Sequence, residues 1–168
     1  MKVTFTRTAE RRYRVSVEGP GVVESFMEPA PGYDPRLPHD MAHFVVENEL
    51  GIKGGIFGQL AAGGTANTFH PIDRKMRRKL AKRGSRISNT NRSDAMLSEW
   101  LVGISCRVWK KELSGEVSYG RGVTPADLIS VCDRFDAVSA VWSKLEIGES
   151  MTLDWTGGIT GRTGRRHG

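Results

Sequence analysis

From Pro29 to Pro35 the chain reads Pro-Ala-Pro-Gly-Tyr-Asp-Pro, three prolines in seven residues, and no regular element runs through such a stretch. Proline lacks the N–H that a strand ladder needs, and it biases the residue before it away from the helical region. The segment reads as a rigid connection between a strand-like beginning and a helical remainder. Ahead of it, Val3 and Phe5 alternate with polar residues, as do Tyr13, Val15 and Val17, and Gly19-Pro20-Gly21 separates these from residues 22–27. A period of two marks half-buried strands, so an antiparallel meander of three strands is expected.

The connection delivers the chain to Leu37-Pro38-His39-Asp40-Met41-Ala42-His43-Phe44-Val45-Val46-Glu47, where four chemically capable residues interrupt an apolar run. Pro38 suits the first turn of a helix and Gly51 suits its end, which predicts a helix over residues 38–50. At a rotation of about 100° per residue, His39, His43 and Glu47 climb one face, with Asp40 on its flank beside Glu47. Met41, Phe44, Val45, Val46 and Leu50 fill much of the remaining circumference. The helix is therefore expected to be buried on several sides, with its polar cluster turned into a pocket.

Histidines four residues apart on a helix place both imidazoles on one side of a divalent ion. Three ligands stacked on one straight helix seldom converge, so the completing ligand falls to Asp40, His70 or a residue of a neighbouring helix. On this reading His39 and His43 are the metal ligands, zinc is the first candidate ion, and Asp40 and Glu47 are candidate catalytic carboxylates, as ligand or as base for a bound water. The competing reading is structural: Asp40 stabilises the first turn against the helix dipole, and the two histidines are hydrogen-bonded interior residues.

His39-Asp40-Met41-Ala42-His43 resembles the His-Asp-x-x-His motif of the membrane-associated ubiquinone-biosynthesis proteins, in which the motif and a more distant Glu form a zinc site. Here Glu47 and Glu49 stand close by in place of the later Glu, and neither that fold nor that function is carried over. The zincin His-Glu-x-x-His differs by having Glu where this chain has Asp40. The HD phosphohydrolases need a histidine well upstream of the doublet, and none precedes His39. Over a longer stretch, residues 37–51 followed by Gly55-Ile56-Phe57-Gly58 resemble a set of small uncharacterised bacterial proteins, which implies a shared core and supplies no activity.

Further on, residues 53–64 are rich in glycine and alanine, with Gly54, Gly58 and Ala62 at four-residue intervals, a spacing that suits close packing better than a phosphate loop. Residues 65–71 read as a linker carrying His70. A short helix is expected over residues 73–83 with Met76 and Leu80 as its apolar stripe, then a mobile polar loop over residues 84–92. Ser93 or Asp94 starts the next helix, with Met96, Leu97, Trp100, Leu101, Ile104 and Val108 as its stripe. Gly115, Gly120 and Gly122 mark a connection. Thr124-Pro125-Ala126-Asp127 starts a further helix whose apolar positions run from Leu128 to Leu145, ended by Gly148. Met151, Leu153 and Trp155 alternate as a last strand.

The net charge of +6 is unevenly placed, for residues 73–92 hold nine basic side chains and one acidic one and so carry +8. Arg74, Lys75, Arg77, Arg78 and Lys82 are the candidate contacts for an alternative partner, nucleic acid, helped by Arg162, Arg165 and Arg166 in the tail. No aromatic residue in that segment offers a base-stacking surface. Neither a signal sequence nor a membrane span is evident, which predicts a cytoplasmic protein with no membrane partner. Cys106 and Cys132 have no Cys-x-x-Cys spacing and read as reduced thiols. The expected fold is α+β: a sheet of three or four strands, the N-terminal meander plus the C-terminal strand, packed with four or five helices. Residues 1–156 form one globular domain and residues 157–168 a flexible basic tail. The expected function is that of a small protein with a His/Asp/Glu pocket, a candidate for divalent-metal binding and hydrolysis of a small molecule.

Overall fold

A computed structural model describes residues 1–73, 75, 77–113 and 122–157, with backbone alone at residues 77–79, 81 and 88. The expectations for Arg74, Met76, Gly115, Gly120 and residues 158–168 lie outside the described residues. The fold is α+β, an open antiparallel sheet with helices packed on it.

The alternating beginning forms β1 (Lys2–Ala9) and β2 (Arg12–Glu18), followed by the short β3 (Ser25–Met27). The last strand, β5 (Ser150–Asp154), pairs antiparallel with β1, so the two ends of the chain meet in one sheet. Val3 faces Val17 on one side and Leu153 on the other, and Phe5 likewise faces Val15 and Met151. That register puts all the apolar residues of the alternation on one buried face. The other face is polar, with Thr4 hydrogen-bonded to Thr152 at 2.9 Å and Thr6 to Ser150 at 2.7 Å. A two-residue strand, β4 (His70–Pro71), completes the order β4-β3-β2-β1-β5. It falls where the sequence reads as linker, because two residues carry no periodicity. Its proline is tolerated at the sheet edge.

The proline-rich connection leads into α1 (His39–Leu50), which ends at Gly51 in the left-handed conformation, φ 66°. Met41, Ala42, Phe44, Val45 and Val46 are all buried. Phe44 meets Phe5 of the sheet edge to face at 6.3 Å and Phe57 at 5.3 Å. The glycine-rich stretch forms α2 (Ile56–Ala61), and it is closely packed: a Cβ on Gly58 would lie 2.1 Å from the Lys53 carbonyl oxygen, and one on Gly55 2.2 Å from the Glu47 carboxyl group.

α3 (Arg77–Thr90) runs straight through the segment that reads as a polar loop. Leu80 and Gly84 are buried on its inner side, where a Cβ on Gly84 would stand 2.8 Å from the Thr65 hydroxyl. The glycine that looks like a helix end thus permits a close tertiary contact. α4 (Arg92–Trp109) buries Ser98, Leu101, Val102 and Ser105, while Met96 and Trp100 of the expected stripe are 66% and 44% exposed. Its inner face is rotated from the apolar one because two serines belong to it. α5 (Pro125–Trp142) opens with the expected capping box, in which the Asp127 N–H donates to the Thr124 hydroxyl and the Thr124 N–H to the Asp127 carboxylate. It stops at Trp142, short of Leu145. α1 packs against α2, α4 and α5 as well as the sheet, so it lies at the centre of the protein.

Candidate metal centre

The site begins with the Glu47 carboxylate, which is fully buried on the third turn of α1. Its Oε1 accepts a hydrogen bond from the Ile56 N–H and its Oε2 one from the Phe57 N–H, each at 2.8 Å, and these are the first two amides of α2. Gly55 makes this approach sterically open. A carboxylate at that position satisfies two amides that the helix leaves without partners and matches the positive end of its dipole.

Oε1 also accepts from the Ser98 hydroxyl at 2.7 Å, and the same hydroxyl oxygen lies 3.0 Å from Nδ1 of His43. The Ser98 hydroxyl spends its single hydrogen on Glu47 and so must itself accept from His43. Nδ1 therefore carries the proton. The remaining ring nitrogen, Nε2, is buried, has no hydrogen-bond partner, and in the neutral ring presents a lone pair. Facing it are the Glu99 carboxylate, with Oε2 at 3.4 Å, and the His39 imidazole, whose ring centre lies 4.6 Å from that of His43.

His39, His43 and Glu99 together offer three ligand atoms that all lie within 4.8 Å of one another. Tetrahedral ligands on zinc stand about 3.3 Å apart, so the His43–Glu99 pair already has ligand spacing and only a small closure of the exposed His39 ring is needed. His39 is held from below: its N–H donates to the Gly32 carbonyl at 3.0 Å, and Gly32, at φ +69°, would place a Cβ 2.6 Å from that of His39. The proline-rich connection thus positions His39.

Burial opposes a charge on His43. The Glu47 carboxylate, 3.7 Å from Nδ1, outweighs it with help from Glu99 and Asp40, and the imidazole pKa lies above its ordinary value. Asp40 is turned elsewhere, into the core, where its Oδ2 meets the Tyr13 hydroxyl, which also lies 2.5 Å from the Pro31 carbonyl. Burial pushes the Asp40 carboxyl pKa up against the opposing pull of Tyr13 and the two histidines. The tyrosine is pushed up as well, by burial and by Asp40.

Of the residues singled out from sequence, then, His39 and His43 do come together. Glu47 stands behind His43, with its oxygens engaged by three donors, and Asp40 is engaged by Tyr13. His70 is on β4, edge to face with Phe26 at 6.4 Å. The third group close enough to share an ion with His39 and His43 is Glu99, from the neighbouring helix α4. Nothing in its local sequence, Ser98-Glu99-Trp100, marks it except a polar pair inside an apolar stripe. Among the basic candidates, the Lys75 and Lys82 side chains are exposed, and those of Arg77 and Arg78 lie outside the description.

His39 and Glu99 also line an open cleft of about 440 Å³, walled by Gly32, Tyr33, Gly103 and Cys106 among others. Burial pushes the Cys106 thiol up to about 11. No helix among the described residues is long and apolar enough to cross a membrane. Comparison with known proteins finds no match among family models, curated proteins or solved structures.

Proposed function

We propose that this protein binds a divalent metal ion, zinc before others, through His39, His43 and Glu99, and presents it to a small molecule in the adjoining cleft. The observation that carries this is the buried Nε2 of His43, which has no hydrogen-bond partner and lies 3.4 Å from Glu99 Oε2 in a group of ligand atoms all within 4.8 Å of one another. Leaving such an atom unsatisfied costs about 1–3 kcal/mol, and a metal ion removes that cost. The Glu47–Ser98–His43 chain is the usual support of a metal-bound imidazole, fixing its tautomer from behind.

Three protein ligands leave a position open to the cleft, the arrangement of catalytic rather than structural zinc. A water bound there loses a proton near neutral pH and becomes a nucleophile, which makes hydrolysis the chemistry we favour. On this proposal Glu47 acts through His43 as a positioning residue, and Asp40 serves the core.

Elemental analysis and calorimetric titration with zinc test the reading. Wild type is expected to bind one ion, and His43→Ala and Glu99→Gln to lose most of the affinity. Glu99→Gln is the cleaner variant, because the Glu99 side chain is 62% exposed and the fold does not depend on it. Zinc binding that is absent from wild type, or equal in all three proteins, defeats the proposal.

A further inference from the structure

α4 and its C-cap residue present Glu99, Gly103, Cys106 and Lys110 along the cleft. At about 100° per residue these four positions fall within about 60° of one another, a single row that starts at the metal ligand and ends at a cation. Gly103, in the middle of the row, differs from the other helical glycines. A Cβ on Gly58 or Gly84 would come within 3 Å of a neighbour, whereas a Cβ on Gly103 meets nothing within 4 Å. No contact inside the protein requires a glycine there, and glycine in a helix interior is costly relative to alanine. The space it leaves open belongs to the cleft.

At the far end, Lys110 is exposed and makes no ion pair among the described residues. Apart from Glu99, the acidic residue of the lining is Asp34, and its Oδ1 accepts from the N–H groups of Arg36 and Leu37 at 2.7 and 2.9 Å. That turn engages one oxygen of the Asp34 carboxylate, and no ion pair joins Asp34 to Lys110, whose charge is available to a ligand.

Building on the proposed metal site, we infer that the cleft takes an elongated small molecule with a metal-binding group at one end and an anionic group, carboxylate or phosphate, at the other. Its chain lies over Gly103, and its anion meets Lys110. The cleft volume is that of a small-ligand pocket, and a row of one helix sets its length.

The probes are linear hydroxamic acids in a length series, ending in a carboxylate, a phosphonate or a methyl group, titrated into zinc-loaded protein whose metal content is measured in parallel. At one chain length an anionic end is expected to bind about fivefold tighter than the methyl end at low salt, as for a solvent-accessible ion pair. The better of the two anions identifies the class. Lys110→Met removes the preference and leaves the methyl-ended affinity unchanged. Gly103→Leu weakens every probe about tenfold or more with zinc content unchanged, and Gly103→Ala, the milder filling, raises the melting temperature while weakening the probes less. Zinc retained with no end-group preference, or with probes indifferent to both Gly103 variants, overturns this inference alone. Wild type without zinc overturns it together with the metal reading.

Discussion

The Ser98 hydroxyl donates to Glu47 at 2.7 Å and so can only accept from His43 Nδ1, 3.0 Å away. One hydroxyl, 51 residues along the chain from Glu47, thereby sets which nitrogen of His43 keeps its proton. Ser98→Ala removes that direction: Nδ1 loses its acceptor and Glu47 a donor where both side chains are buried. Zinc affinity is expected to fall roughly 10–100-fold. Stability in urea is expected to drop by about 1–3 kcal/mol. A competition titration against a chromophoric chelator reads the first, and unchanged zinc affinity in Ser98→Ala would show that His43 needs no orientation.

Glu47 does two jobs, and the second is structural. Its carboxylate closes the start of α2 and requires Gly55 to have no side chain. Gly55→Ala, at the N-cap of α2, is expected to destabilise by roughly 1–3 kcal/mol, because its Cβ would displace the carboxylate. The same substitution made in Glu47→Ala should cost far less, since both changes act on one contact. Equal costs in the two backgrounds, measured by chemical denaturation, would separate Gly55 from Glu47.

These contacts show which parts of the protein were legible in its sequence. α1 was, because its boundaries are written locally in Pro38 and Gly51 and its histidines are four residues apart. The sheet was, because a period of two survives in every strand long enough to hold it. Glu99 was foreseen only as an unnamed residue of a neighbouring helix. Its partnership with His43 depends on how α4 rotates against α1, and that rotation follows two serines that look like surface residues. Gly84 misleads for a related reason: glycine and serine in a basic stretch read as loop, while the close approach to Thr65 that the glycine permits is tertiary.

Cys106 lines the cleft, yet its thiol is expected to be sluggish. Burial, with smaller effects from its charged neighbours, lifts its pKa from 9.0 to about 11. Iodoacetamide reacts with the thiolate, so labelling at pH 8 should be much slower than for a free thiol and should keep accelerating up to about pH 11. The sign for stability follows. The folded state holds the proton more tightly than the unfolded one, so this contribution is intact below pH 9 and is lost as pH rises toward 11. Mass spectrometry of tryptic peptides across that range checks the rate, and a plateau already at pH 9 would contradict the buried position of the sulfur.

The basic helix is a separate surface, and its proposed partner is the phosphate backbone of a nucleic acid. Lys75, Lys82, Arg86 and Arg92 are exposed, whereas Arg83 also donates to the Ala62 carbonyl at 3.0 Å and helps hold the end of α2. Reversing Lys82, Arg86 and Arg92 to Glu and sparing Arg83 therefore tests charge without loosening the fold. Contacts of this kind read no bases. Three or four of them should give an affinity for single-stranded DNA that falls with salt at a logarithmic slope of about −2 to −3. Fluorescence anisotropy over a salt series is expected to show that slope in wild type and no binding in the reversed variant, with little difference between sequences. Zinc content should be the same in both proteins, because none of the reversed residues belongs to the His39, His43, Glu99 group. Binding that survives the reversal, or none even at low salt, would leave α3 as a solvated face and the metal centre as the one functional surface proposed for this protein.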